Sequence, residues 1–135
     1  MSHGRGHYER LIADYFLAVD EERLDDVVAC FCDDGSIHFS FQEEPVRGRA
    51  ALRAFFAEHV GRFSDHVDRV TRVLVDGELG ISEIVFDATT TDGHPVHLEN
   101  CNVYRFRDGL FAEVRVYLDT VTMAAQLSGR AGAGS

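Results

Sequence analysis

The sequence predicts an α+β fold, in which a curved antiparallel sheet wraps as a cone around three N-terminal helices and encloses a pocket. Three observations predict it. Apolar residues recur at helical spacing through the first half of the chain. The second half turns to stretches rich in β-branched and aromatic residues, each ending at a D-G turn signal or beginning just after one. No internal repeat or linker interrupts the 135 residues. Helices followed by a run of hairpin-connected strands form an α+β pattern, and the open end of such a cone is where a small-molecule pocket is expected. Residues 1–127 are read as a single domain and SGRAGAGS, residues 128–135, as a flexible tail.

The elements follow in order. Tyr8, Leu11, Ile12, Tyr15, Phe16 and Val19 place a first helix over about residues 6–20. Leu24, Val27, Val28 and Phe31 repeat the spacing in a shorter second helix, which the sequence DDG, with Gly35 as a turn, is expected to end. SIHFSF reads as a strand, QEEPVRGR as a loop, and AALRAFFAEHV as a third amphipathic helix ending near Gly61. Four strands are expected from HVDRVTRVLVDG, ELGISEIVFDATTTDG, HPVHLENCNVYRFRDG and LFAEVRVYLDTVTM.

Composition narrows the function classes. The formal net charge is −10 and every basic side chain other than histidine is an arginine, a balance that repels phosphate backbones and anionic lipid. Neither a nucleic-acid partner nor a membrane partner is expected. No apolar run approaches a membrane span, and MSHGRGHYER has no apolar core segment, so no secretory signal is read and a cytoplasmic protein is expected. Cys30, Cys32 and Cys101 lack the spacing of a disulfide framework or zinc site and read as small core hydrophobes. No pair of histidines or acids has metal-ligand spacing, and no phosphate-binding loop or nucleophile elbow is present. His59, His94 and His97 read as loop or surface residues.

Strand parity assigns faces. In the last strand Ala112, Val114, Val116 and Leu118 share an apolar face that should point at the helices. In the preceding strand Leu98, Asn100, Asn102 and Tyr104 share a face without charges, so both asparagines are turned inward, where they can satisfy each other or orient a polar ligand. Around ISEIVFDA either Ile81, Glu83, Val85 and Asp87 face inward or Ser82, Ile84, Phe86 and Ala88 do; the second set is more apolar, which places Glu83 outside. The face of His38, next to Phe39, is open.

The stretches YFLAVDEERLDDVVACFCDDGSIHF, VRGRAALRAFF and YRFRDGLFAEVRVYLD resemble the SnoaL-like branch of the nuclear-transport-factor-2-like superfamily, over about residues 6–125. The resemblance implies an α+β cone with a deep pocket and a homodimer, commonly formed through the outer sheet face. The superfamily hosts isomerases, cyclases, dehydratases, epoxide hydrolases and non-catalytic binders. Tyr15 matches the helix tyrosine of ketosteroid isomerases, but their general base falls on or near Phe39 and their acidic oxyanion donor on Asn102. The Asp-Arg-Asp arrangement of limonene-epoxide hydrolases falls on Glu83, Val85 and Val116, so that triad is absent; this alignment nevertheless turns Glu83 inward, and the site expectation follows it. Tyr15, Asp20 and His66 are similar to a tyrosine, aspartate and histidine of bile-acid dehydratases, and Asn100 and Asn102 to a Ser and Asn of scytalone dehydratase.

The resemblance implies a cofactor-independent acid–base enzyme, a dehydratase, isomerase or polyketide cyclase, acting on a small, largely apolar carbonyl or polyketide-like substrate. His66 would move the proton, Tyr15 would hydrogen-bond the oxygen that gains charge, and Asp20 or Glu83 would orient the imidazole. Asn100, Asn102, His38, Phe39, Val85, Val114, Val116 and Leu118 are the expected substrate contacts. No metal or organic cofactor is required. The competing expectation is a non-catalytic pocket or dimer module, and the two part on whether His66, Tyr15 and an acid converge on one cavity.

Overall fold

The computed structural model describes residues 3–129. Helix α1 (Arg5–Asp20) buries Tyr8, Ile12, Tyr15, Phe16 and Val19, one stripe at the expected spacing. It ends at Glu22, whose φ of 56° is left-handed, with the Arg23 amide donating to the Ala18 carbonyl at 2.9 Å. Helix α2 (Leu24–Ala29), strand β1 (Phe31–Phe39), the two-residue strand β2 (Val46–Arg47) and helix α3 (Arg49–Gly61) follow. Strands β3 (Phe63–Asp76), β4 (Leu79–Thr90), β5 (Pro95–Arg107) and β6 (Leu110–Tyr117) make the long meander, and helix α4 (Thr120–Leu127) closes the described chain.

The six strands form one curved, unclosed sheet in the order β2-β1-β6-β5-β4-β3. The α+β class holds, with one difference from the fully antiparallel expectation: β1 runs parallel to β6, while every other pair is antiparallel. The sheet is therefore mixed. The main core lies between α1, α3 and the inner sheet face, where Phe31, Tyr104, Phe106 and Phe111 are fully buried. Their rings stack or meet edge-on, with Tyr104 and Phe111 5.1 Å apart.

Two boundaries differ from the sequence expectation. The DDG stretch does not terminate a helix; it lies inside β1, where the register against β6 shifts between Phe31 and Ser36. A Cβ at Gly35 would stand 2.9 Å from the Phe111 carbonyl oxygen, so this bulge needs a glycine for space rather than for a turn. The last strand also stops at Tyr117, and the residues after it form α4. Asp119 caps that helix, accepting from the amides of Val121 and Thr122 at 3.0 and 3.1 Å. Of the expected tail, Ser128 and Gly129 finish α4, and residues 130–135 lie outside the described residues.

Helix α4 lies along β5, where that strand has run past its pairing with β6. The Gln126 side chain clasps the His97 backbone there, accepting from its amide at 2.9 Å and donating to its carbonyl at 3.0 Å. Met123 and Leu127 pack on a second apolar cluster of Phe86, Ala88, Val96 and Leu98. Among the described residues no helix is long and apolar enough to cross a membrane. Cys30 and Cys32 are buried, Cys101 is half-buried on the outer face, and all three are free.

Candidate acid–base pocket

Between α1, α3, α4 and the inner sheet face lies a cavity with about 770 Å³ of atom-free space, counted out to solvent at its mouth. Its wall is mostly apolar: Phe16 and Val19 from α1, Phe39 from β1, Phe56 from α3, Phe86 from β4 and Leu98 from β5. Phe41, Phe63 and the α4 residues Met123 and Leu127 border it as well. Into this lining the fold places a few polar groups, the pattern of a small-molecule site.

Tyr15 reaches the wall from α1. Its ring is held edge-on by Phe16, Phe56 and Phe111, and burial keeps the phenol protonated by raising its pKa well above 10.0. It is therefore a fixed O–H donor. Asn100 and Asn102 reach the wall from β5 as parity predicted, and the Oδ1 of each is buried without a partner. Two unpaired acceptors on residues that line the cavity carry a desolvation cost that a ligand bearing O–H or N–H donors would relieve.

The strongest acid–base feature is a residue that sequence reading passed over. Asp68 follows His66 by two positions in β3, so both face inward. Asp68 lines the cavity, and its backbone amide donates to Asp20 Oδ1 at 2.9 Å. Burial pushes the Asp68 carboxyl up to about 8, reinforced by the charge of Asp20 and a hydrogen bond between the two side chains. Asp20 is also raised by burial, opposed by hydrogen bonds from the Asp68 backbone and side chain and by nearby His66. Two carboxyls in such contact cannot both ionise cheaply, so the pair holds one proton at neutral pH, on Asp68.

His59 is the second omission. It lies in α3 rather than in a loop and lines the cavity. Its ring stacks on Phe55 and meets Phe63 edge-on at 5.6 Å. Burial, then the neighbouring His66 and Arg62, drive its pKa down to about 4, so the imidazole is neutral near pH 7.

The other expected site residues divide. Phe39, Val116 and Leu118 are on the wall. His66 is buried, its side chain 3 % exposed, but it stands outside the cavity lining, with Nε2 3.4 Å from Glu22 Oε2. Asp20 meets the cavity through Asp68 rather than directly. Four expectations are corrected. Glu83 points outward and pairs with Arg72 at 3.1 Å, because Ser82, Ile84, Phe86 and Ala88 take the inner face, as hydrophobicity alone indicated. Val85 shares the outer face with it. His38 is turned away from the cavity, and its Nε2 bonds the Gln42 carbonyl at 2.8 Å in the turn after β1. Val114 is fully buried within the main core rather than on the wall. Among the described residues no group of three or more His, Cys, Asp or Glu is arranged to hold a metal ion.

An unclosed curved sheet packed around helices over a polar-studded cavity defines a class, the nuclear-transport-factor-2-like α+β cone. The comparisons narrow it: a sequence model of the SnoaL-like domain matches residues 12–114, and the chain belongs to that family. A search of curated proteins found no match. Among solved structures, a loop-truncation variant of IdmH is similar at 26% identity and a TM-score of 0.74, over 88% of this chain and 98% of that one. A candidate SnoaL-like polyketide cyclase from Jannaschia sp. CCS1 is similar at 15% identity and 0.82, over 95% and 97%. An epoxide hydrolase of the limonene-epoxide-hydrolase type from M. tuberculosis is similar at 21% and 0.76, over 93% and 92%.

Proposed function

We propose that the protein is a cofactor-independent acid–base enzyme, a dehydratase, isomerase or cyclase, acting on a small, largely apolar carbonyl or polyketide-like molecule. The observation that carries this reading is the Asp20–Asp68 pair, which presents a protonated carboxyl to an apolar cavity. A group poised near neutrality can both give and take a proton in the operating range. Asp68 is the proton donor to a leaving hydroxyl or ring carbon and, once ionised, the base that removes a proton next to a carbonyl. Tyr15 hydrogen-bonds the oxygen that gains negative charge, and Asn100 and Asn102 accept from substrate hydroxyls. His66, expected from sequence to act directly, serves behind the pair.

The test is a panel of cyclic enones, hydroxy-ketones and polyhydroxylated aromatics, screened for turnover and for binding. Turnover lost in Asp68→Asn and reduced in Tyr15→Phe supports the enzyme reading. Tight binding without turnover in the parent protein supports instead a pocket that carries a small molecule, the reading that the two unpaired asparagine oxygens favour by themselves.

The same reading includes a homodimer. On the outer sheet face Leu74 pairs with Ile81 and Ile81 with Val103, and Leu74 and Leu79 are among the most exposed large apolar side chains. Sedimentation of the parent and of Leu74→Glu decides this point. The cytoplasm is the proposed compartment, tested by fractionation.

A further inference from the structure

The carboxyl pair has a neighbour whose arrangement the reaction above leaves unused. Nδ1 of His66 is buried without a partner, while Nε2 faces the carboxylate of Glu22. Glu22 itself is unusual. It occupies the left-handed position that ends α1, at φ 56°, a conformation that glycine adopts at least cost. A non-glycine residue that departs from local preference is expected where its side chain has a task.

We infer that Glu22 is a positioning residue that holds buried His66 as the Nε2–H tautomer and so keeps the ring's lone pair on Nδ1, behind the Asp20–Asp68 pair. The inference rests on the reading of that pair as the acid–base group. With the proton on Nε2, 3.4 Å from a Glu22 carboxylate oxygen, the neutral ring carries its lone pair on Nδ1, the buried nitrogen. Four titratable groups surround the ring: Glu22 from the turn after α1, Asp20 from the end of α1, Asp68 from the same strand, and His59 from α3, which also feels Arg62. Asp20 lies within electrostatic reach, since His66 favours its ionised form. Glu22 is half exposed and joins the ring to water.

Long-range ¹H–¹⁵N NMR on ligand-free protein with ¹⁵N-labelled histidine tests this directly, because the two ring nitrogens report the tautomer. The parent and Glu22→Gln, which keeps an acceptor oxygen, are expected to show His66 as Nε2–H at pH 7. In Glu22→Gly and Glu22→Asn, which suit the left-handed turn but cannot reach the ring, the ratio of tautomers should fall by roughly threefold or more. Their melting temperatures should stay at or above the parent's, so a change in tautomer is not a symptom of unfolding. An Nδ1–H ring in the parent, or an unchanged ratio in both variants, overturns the inference. The readout needs no substrate. A failed substrate panel therefore leaves this result standing, and an unchanged tautomer in an active enzyme removes only the role of Glu22.

Discussion

Asp68 and Asp87 sit on adjacent rungs of the β3–β4 ladder, Asp68 opposite Phe86 and Asp87 opposite Val67. They are the same chemical group in the same pair of strands, on opposite faces. On the outer face Asp87 accepts from His97 and meets Arg69 at 2.7 Å, and the hydrogen bond from His97, with Arg69 beside it, holds its carboxyl below the usual carboxylate range. On the inner face Asp68 makes no ion pair with a cation among the described residues, lines a mostly apolar cavity and faces another carboxyl, and it rises to about 8. The parity of the strand decides which aspartate is a solvated anion and which is an acid.

The largest effect should come from breaking the inner member. Between about pH 4 and 8 the folded Asp68 keeps a proton that the unfolded chain has released. The folded state then binds more protons, and stability falls as pH rises through that window. Urea denaturation of the parent should show this decline, on the order of a few kcal/mol, and Asp68→Asn should flatten it. His59 has the opposite sign. Its folded pKa is depressed to about 4, so its contribution is lost as pH falls from 6.5 toward that value, which should make the parent less stable again in acid. A decline of equal size in Asp68→Asn would mean that the inner carboxyl is not the titrating group.

Asn102→Leu comes next. It removes a buried unpaired amide oxygen together with the hydrogen bond from Asn102 to the Tyr104 phenol, so folding stability should change by no more than about 1 kcal/mol, while affinity for any captured ligand falls by roughly tenfold. Calorimetry on a hit from the panel checks both halves. Gln126→Ala removes the two bonds that hold α4 to the edge of β5, and about 1 kcal/mol of local stability with them. Faster amide exchange confined to residues 120–127 is the expected signature. Asp87→Asn should matter least. Its partners are exposed, so the melting temperature should barely move and salt should erase the difference. A large shift there would show that the outer face is less solvated than it looks, as a dimer would make it.

Much of the fold was legible because periodicity carries it. The stripe from Tyr8 to Val19 and the alternation from Leu98 to Tyr104 each name a face without outside help. The parallel joint of β1 to β6 was not legible, since it links distant segments that no local pattern pairs. DDG looked like a turn because its glycine answers a steric demand made by Phe111, far along the chain. Helix α4 was hidden by β-branched residues at its start, although Asp119 offered a cap. On the cavity wall, Tyr15 stands where the resemblance pointed and both asparagines where strand parity turned them. Asp68 was missed although its parity with His66 was open to view, and His59 although Leu52, Phe56 and His59 fall on one helical face. Glu83 went astray where a distant likeness was preferred to hydrophobic alternation.

The parallel joint also sets an order of events during synthesis. β1 is among the first strands to leave the ribosome, yet the edge it pairs with belongs to β6, and Phe31 meets Phe111 only when nearly the whole chain has emerged. The helices and β1 must wait with their apolar faces uncovered, exposed to chaperones and to neighbouring nascent chains. The cavity wall at Val116 and Leu118 comes later still. A chain released before those residues therefore has no binding site to offer, and ligand cannot rescue it.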